Sequence, residues 1–125
     1  MMPIGEVHSS LTATGTQQWV AAEIEIFPPY VDGLKGIEAY KELLVLYWMH
    51  RLDKTDRRVL IVHPRGDRTR PRRGVFSTRS PRRPNPIGLS KVRLKGRKEN
   101  ILKVEGLDAV DGTPVIDIKK VDCDD

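Results

Sequence analysis

Arginines in a proline-rich segment are the residues of this chain whose types and spacing most clearly suggest binding chemistry. Residues 74–90 read GVFSTRSPRRPNPIGLS, with three prolines within six residues. Each proline fixes φ near about −65° and pushes the preceding residue toward extended geometry. A stiff backbone that carries guanidinium groups loses little entropy when it binds an anion or a nucleotide. A solvated basic loop is the alternative. The polar side chains that this segment would present are Arg79, Arg82, Arg83 and Asn85.

The ends of this segment have features of strands. The run Val75 to Thr78 alternates in side-chain type and predicts a short strand. Gly88 is expected to let the backbone turn or approach a ligand closely before the next strand begins.

Positive charge is concentrated between residues 65 and 83. The chain has 22 lysines and arginines against 17 acidic residues, a net charge of +5. Eight arginines and one aspartate in this segment give +7, so the rest of the chain sums to −2. Guanidinium groups bind phosphate in a bidentate fork, which favours an RNA partner over a patch that only aids solubility. The predicted phosphate-binding residues are Arg65, Arg68, Arg70, Arg72, Arg73, Arg82 and Arg83.

Other reactive residue types form weaker patterns. His8, His50 and His63 lack ligand spacing, and no carboxylate cluster is apparent beside them in the sequence, so no metal site is expected. Ser77, Thr78 and Ser80 would need a paired base to act as nucleophiles, and the charged neighbours are arginines. No catalytic residue is therefore assigned.

Length and composition predict one domain over residues 1–125, with a loose tail at Asp122–Asp125. The single cysteine, Cys123, excludes an internal disulfide and fits a reducing compartment. No apolar run approaches the roughly 18–20 residues of a membrane span, and no signal peptide is apparent. We therefore expect a soluble cytoplasmic protein.

Short strands are expected to position these residues. Residues 20–27 alternate cleanly and predict a half-buried strand, whereas Leu43–Met49 is a continuous apolar run that predicts a strand buried on both faces. A short helix is predicted over Gly36–Leu43, and Arg65–Arg73 is predicted to be a mobile loop. The other predicted strands are Ile4–His8, Arg58–His63, the hairpin Ser90–Leu94 and Ile101–Val104 around Gly96 and Asn100, and Pro114–Val121 after a turn at Asp111–Gly112. About seven strands with one short helix predict a mostly β fold, a single closed β-barrel.

The proline-rich segment resembles the signature of the TsaA-like family, the S-adenosylmethionine-dependent tRNA threonylcarbamoyladenosine N-methyltransferases. Three further segments fit this family in the same order, and together the matches run from residue 5 to about residue 119. They are GEVHS at 5–9, GIEAY at 36–40 followed by LYWMH at 46–50, and LDAVDGTPVIDIK at 107–119.

The resemblance implies a β-barrel that pairs as a homodimer, binds S-adenosylmethionine and acts on tRNA. The glycines of this chain do not have the spacing of a dinucleotide-binding turn, so the cofactor is implied by resemblance alone. Taken alone, His50 would be a strand-end histidine that bonds to structure, and Leu89 would be a core residue that can also form an adenine wall. Carried over by position, the cofactor contacts are His50, Arg51, Arg79, Leu89, Glu105, Gly106, Leu107 and Asp108.

The chain departs from the family in two places. Residues 10–19 lack the proline of the family's Pro-Arg-Gln element, and Gln17 or Gln18 are the candidates to replace it. The longer bacterial members carry a C-terminal domain beyond the matched region. A methyltransferase of the same fold that acts on another RNA or a small molecule, and a non-catalytic RNA-binding barrel, are the two alternatives.

Overall fold

A computed structural model describes residues 2–10 and 21–122 of the chain. Gln17, Gln18 and Cys123 lie outside these ranges. The described residues form eight strands: β1 (Gly5–His8), β2 (Ala21–Ile26), β3 (Glu42–Trp48), β4 (Ile61–Val62), β5 (Arg73–Gly74), β6 (Ile87–Lys98), β7 (Ile101–Glu105) and β8 (Pro114–Lys120).

Six of these strands form a closed antiparallel barrel in the order β1-β2-β7-β6-β3-β8. The barrel closes between β1 and β8, where Gly5 pairs with Val115 and Glu6 with Pro114. β4 and β5 form a separate two-stranded sheet. The prediction of a mostly β, closed barrel is confirmed.

The alternating strand predicted near residue 20 is β2, in which Ala22, Ile24 and Ile26 are buried. In β3, Leu43, Val45 and Tyr47 are buried, but the side chains between them are only half-buried. The prediction that β3 is buried on both faces is therefore wrong for its outer face. These inward residues and those of the other strands fill the barrel.

The predicted hairpin of β6 and β7 is confirmed, with a turn at Glu99 and Asn100. Gly96 lies within β6, where the register with β7 shifts. A glycine inside a strand commonly marks such a bulge. The predicted turn at Asp111–Gly112 is also present, and Gly112 has φ of 82°.

Helical segments are short. The helix predicted over residues 36–43 is wrong, because only Ile37–Ala39 forms a 3-10 turn and β3 begins at Glu42. The one α-helix, α1 (Lys54–Arg57), lies further along the described chain, where Asp53 and Asp56 form a capping box. None of the helices in the described ranges has the length and apolar character needed to cross a membrane. The other 3-10 segments are Pro28–Leu34, Pro64–Gly66 and Val75–Ser77.

The region between β3 and β6 also differs from the sequence prediction. The strand expected over Arg58–His63 is reduced to the two residues of β4. The strand expected over Val75–Thr78 is a 3-10 turn. Both differences place irregular backbone beside the barrel, where it forms one wall of a cleft.

Candidate functional site

A cleft of about 1420 Å³ lies between the barrel and the β4–β5 sheet. Its barrel side is formed by the end of β3, the start of β6 and the segment after β7, and its other side by residues 61–73 and 77–83. We call it the arginine cleft, since seven arginines line it together with Lys91. These arginines are Arg65, Arg68, Arg70, Arg73, Arg79, Arg82 and Arg83.

Asp108 is the only acidic residue among the described residues that line the arginine cleft. Two residues before Asp108, Gly106 follows β7 and has φ of 91°, a conformation that favours glycine. The turn there lets Leu107 enter the core with 1% exposure while Asp108 faces the cleft. A cation and an anion could therefore bind in the same cleft, the cation beside Asp108 and the anion beside the arginines.

The wall at β3 and β6 depends on close packing between Tyr47 and Gly88, which pair across these strands. A β-carbon at residue 88 would overlap the Tyr47 ring. Gly88 lies inside β6 without a positive φ. The turn expected at this glycine is wrong, because Gly88 lies within a strand, where its missing side chain makes room for the tyrosine. The close approach of Gly88 to a ligand stays a prediction.

The Tyr47 hydroxyl stays protonated at physiological pH. Burial is the largest influence and raises the pKa of Tyr47, whereas the hydrogen bond with Ser90 lowers it. The charge of Asp108 raises the pKa and that of Arg79 lowers it, and the net change is an increase. Tyr47 can therefore donate a hydrogen bond but cannot serve as a base.

Local hydrogen bonds fold the proline-rich segment. The Val75 carbonyl accepts from the Thr78 backbone N–H at 3.1 Å and from its hydroxyl at 2.9 Å. Arg83 Nη2 donates to the same carbonyl at 2.6 Å and to the Thr78 carbonyl at 3.2 Å. Side chains that bond to nearby backbone in this way favour a turn over a strand.

Helix α1 and β3 hold the second half of this segment. Arg57 Nε donates to the Pro84 carbonyl at 2.9 Å, and its guanidinium carbon lies 5.4 Å from the centre of the Trp48 ring. Arg82 pairs with Asp56 at 3.2 Å, and the Met49 N–H donates to the carbonyl of Pro86 at 2.8 Å. The segment is thus fastened at several points as well as stiffened by proline.

The loop predicted over residues 65–73 is a series of hydrogen-bonded turns that ends in β5. Asp67 accepts from the Thr69 N–H at 2.9 Å and from its hydroxyl at 2.6 Å. These bonds hold the pKa of Asp67 below its usual value. His63 Nδ1 lies 3.0 Å from the Arg70 carbonyl oxygen. Asp67 and His63 therefore organise this wall, and the predicted mobility of the loop stays a prediction.

The predicted cofactor residues fall into two groups. Arg79, Leu89, Gly106 and Asp108 line the arginine cleft. Leu89 is 40% exposed, so its interpretation as a core residue is wrong. Outside the lining are the exposed His50 and Arg51, the buried Leu107, and Glu105, which pairs with Lys95 at 3.3 Å.

The predicted phosphate-binding residues mostly share the same cleft. Six of the seven line it, and Arg72 is the exception. Arg83 differs from the rest because its guanidinium binds backbone carbonyls, and Arg82 is paired with Asp56. The remaining residues of this set, all exposed, are Arg65, Arg68, Arg70, Arg72 and Arg73.

Sequence reasoning missed Tyr47 and Ser90, which line the arginine cleft. Tyr47 lies in an apolar run and was indistinguishable from a core residue. A serine two residues after Gly88 carries no recognisable pattern on its own. The available signal was that a buried tyrosine usually needs a hydrogen-bond partner.

His8 lies beside carboxylates on the barrel surface, which corrects the expectation that no carboxylates cluster with the histidines. Its Nε2 is 2.8 Å from Glu25 Oε1 and 3.8 Å from Glu6 Oε2. The hydrogen bond to Glu25 raises the pKa of His8 against a smaller effect of burial, and the charges of Glu6, Glu25 and Asp111 add to the increase. Ligand atoms of Glu6, His8 and Glu25 lie within 4.8 Å of one another, but all three side chains are substantially exposed.

Comparison with known proteins places the fold and these segments in one family. The model of the tRNA-methyltransferase O N-terminal domain matches residues 11–122. A solved TrmO structure from Pseudomonas aeruginosa superposes with a TM-score of 0.70 at 29% identity, over 96% of this chain and 54% of that chain.

Three curated relatives agree with this match. An S-adenosyl-L-methionine-binding protein of Archaeoglobus fulgidus is 47% identical over 98% of this chain and 92% of its own length. A probable S-adenosyl-L-methionine-binding protein of the same organism is 57% identical over 78% of this chain, which spans 25% of that protein. The tRNA (adenine(37)-N6)-methyltransferase of Escherichia coli is 43% identical over 78% of this chain and 43% of its own length. The chain belongs to the tRNA-methyltransferase O N-terminal domain family, as the TsaA-like signature predicted.

Proposed function

We propose that this chain binds S-adenosylmethionine in the arginine cleft and methylates the exocyclic nitrogen of threonylcarbamoyladenosine next to a tRNA anticodon. The observation that carries the proposal is that Asp108 supplies the only carboxylate among the described lining residues, in a cleft that is lined mainly by arginines, hydroxyl side chains and apolar groups. The printed name of the Escherichia coli relative supports an adenosine acceptor in tRNA.

The residues of the cleft fit the chemical groups of the cofactor. Asp108 suits its cationic sulfonium and ammonium, and Arg79 suits its carboxylate. Leu89, Met49 and Ile87 offer apolar surface for adenine. His50, Arg51, Glu105 and Leu107 are proposed to support these contacts from outside the lining, and Gln17 or Gln18 to complete the site.

S-adenosylmethionine supplies an electrophilic methyl group. Transfer of this group would exchange its bond to sulfur, which would keep the electron pair, for a bond to the acceptor nitrogen, whose proton would pass to a base. No residue is assigned as the base for that proton, and the protonated Tyr47 is unsuitable. The contribution of the chain is positioning, since an in-line displacement depends on close alignment of donor and acceptor.

The arginines at the outer wall are proposed to bind tRNA phosphates. The proposed contacts are Arg65, Arg68, Arg70, Arg72 and Arg73. Arg82 and Arg83 are proposed to contact phosphate as well, and they also hold the proline-rich segment in place through their bonds to Asp56 and to the Val75 carbonyl. A cytoplasmic location and a homodimer belong to the same proposal, and light scattering in solution tests the dimer.

Mass spectrometry of digested tRNA tests the substrate. Purified chain, S-adenosylmethionine and tRNA that carries threonylcarbamoyladenosine should yield that nucleoside heavier by one methylene unit. The same tRNA without the threonylcarbamoyl group should gain nothing. A mass gain on another nucleoside would support a different RNA acceptor, and no gain on any RNA despite cofactor binding would exclude the RNA substrate.

A further inference from the structure

Both backbone polar groups of Asp108 bond to buried hydroxyls on the barrel strands. The Asp108 N–H donates to Ser90 Oγ at 3.3 Å, and the Tyr47 hydroxyl donates to the Asp108 carbonyl oxygen at 2.8 Å. The two hydroxyl oxygens lie 3.0 Å apart. Three residues that are distant in sequence therefore meet at the wall of the arginine cleft.

The chemistry of these groups fixes the direction of every bond. A carbonyl oxygen can only accept, so the Tyr47 proton points to Asp108. The Ser90 hydroxyl must then donate to the Tyr47 oxygen while it accepts from the Asp108 N–H. The result is a closed ring in which each donor has one acceptor.

The hydrogen-bond ring lies two residues after a glycine, Gly106, whose backbone conformation is little restricted by sterics. Gly106 leaves β7 with a positive φ, and glycine carries the greatest backbone freedom of any residue. Leu107 anchors the segment on the core side through its burial. The two hydroxyls fix the peptide groups on both sides of the Asp108 Cα, and Asp108 lines the cleft at this point.

We propose that Tyr47 and Ser90 are positioning residues of the cofactor site, which hold the two peptide groups that flank Asp108 so that its carboxylate faces the sulfonium end of the ligand. This inference rests on the proposed function, in which the cofactor binds beside Asp108. Loss of either hydroxyl opens the ring and removes a hydrogen bond of the partly buried Asp108 backbone, and an unmade bond at such a group costs more than the net value of the bond.

Tyr47→Phe and Ser90→Ala test the hydrogen-bond ring, because each removes one hydroxyl. Tyr47→Phe keeps the aromatic side chain that packs on Gly88. We expect the dissociation constant for S-adenosylmethionine in calorimetry to rise on the order of tenfold in each. Ser90→Thr, which keeps a hydroxyl, should restore most of the affinity. Tyr30→Phe is the matched control, since the Tyr30 hydroxyl bonds to Met2 Sδ and Tyr30 is not part of the cleft lining.

Hydrogen exchange of the Asp108 amide, measured without ligand, provides the second readout. Exchange should accelerate on the order of tenfold in Tyr47→Phe and Ser90→Ala, with little change at β2. Unchanged affinity and unchanged exchange in both variants would overturn the inference. If the wild-type chain itself gives no heat with S-adenosylmethionine, the proposed cofactor site is wrong, and the role given to Tyr47 and Ser90 is wrong with it. Wild-type binding with weaker binding in both variants supports both statements.

Discussion

The aromatic ring of Tyr47 lies so close to the backbone of Gly88 that the two strands β3 and β6 tolerate no side chain at residue 88. This contact sets the position of the Tyr47 hydroxyl, which reaches across to Asp108 at 2.8 Å. The packing of two paired residues thus determines where the only carboxylate of the described cleft lining is held.

Substitution of Gly88 by alanine should lower the free energy of unfolding by about 1–3 kcal/mol, because the new methyl group overpacks the site. Gly33→Ala, where a β-carbon would meet nothing within 4 Å, is the control. Chemical denaturation measures both. In the Tyr47→Ala background the cost of Gly88→Ala should shrink, and an equal cost in both backgrounds would show that Tyr47 is not the obstacle.

Replacement of Arg79 by alanine should weaken S-adenosylmethionine binding by about 2–3 kcal/mol, since a charge-assisted bond to the cofactor carboxylate would be lost. Arg72→Ala removes an exposed arginine outside the cleft lining and should leave this affinity unchanged. Calorimetry compares the two. Equal affinity in the wild type and Arg79→Ala would assign Arg79 to RNA instead of the cofactor.

Asp108→Asn keeps the size of the side chain and removes the only negative charge of the described cleft lining. We expect cofactor affinity to fall roughly tenfold or more, because the sulfonium and ammonium lose their counter-charge. Glu38→Gln, which weakens the surface pair with Arg97 outside the cleft lining, is the control. If both variants bind as the wild type does, the cationic end of the cofactor lies elsewhere.

His8 should make stability depend on pH. Its pKa is raised above 6.5 by Glu25, so the protonated form stabilises the folded chain. That stabilisation is fully present below about pH 6.5 and is lost as pH rises through the folded-state pKa. Because the His8 side chain is 43% exposed, the effect is small. Thermal unfolding from about pH 5.5 to 8.5 should show this decline in the wild type but not in His8→Gln. Identical pH profiles would exclude the contribution.

Binding of RNA should depend steeply on salt. If about four phosphates are contacted, log K should fall with log salt with a slope of roughly −3. Arg68→Ala should reduce that slope by roughly 0.7, whereas Lys98→Ala, on an exposed lysine outside the cleft lining, should not. A slope near zero in the wild type would indicate that the arginines are bystanders.

Strand patterns with strong alternation were predictable from sequence, as β2 illustrates, because one face of the strand is buried in the barrel. The turn at Val75–Ser77 was not, since it depends on Arg83, eight residues away, which donates to the Val75 carbonyl. A pattern of neighbouring side-chain types contains no information about such bonds.

Residues of the site were predictable from sequence only where they lie in a segment with a recognisable pattern, either the concentrated arginines of residues 65–83 or a resemblance to the family. Arg79 was singled out by the proline-rich segment, and the family resemblance gave both Arg79 and Asp108 as cofactor contacts; both line the arginine cleft. The ring of Tyr47, Ser90 and Asp108 was beyond reach, because its members are 43 and 61 residues from Tyr47 along the chain and meet only after the barrel closes.

The central claim is that the arginine cleft holds the methyl donor, and a crystal structure with S-adenosylhomocysteine at saturation tests it most directly. We predict density for the nucleoside against Leu89, with the amino-acid end between Arg79 and Asp108. Density at another surface, or an empty cleft in crystals whose solution complex is saturated, would contradict the claim.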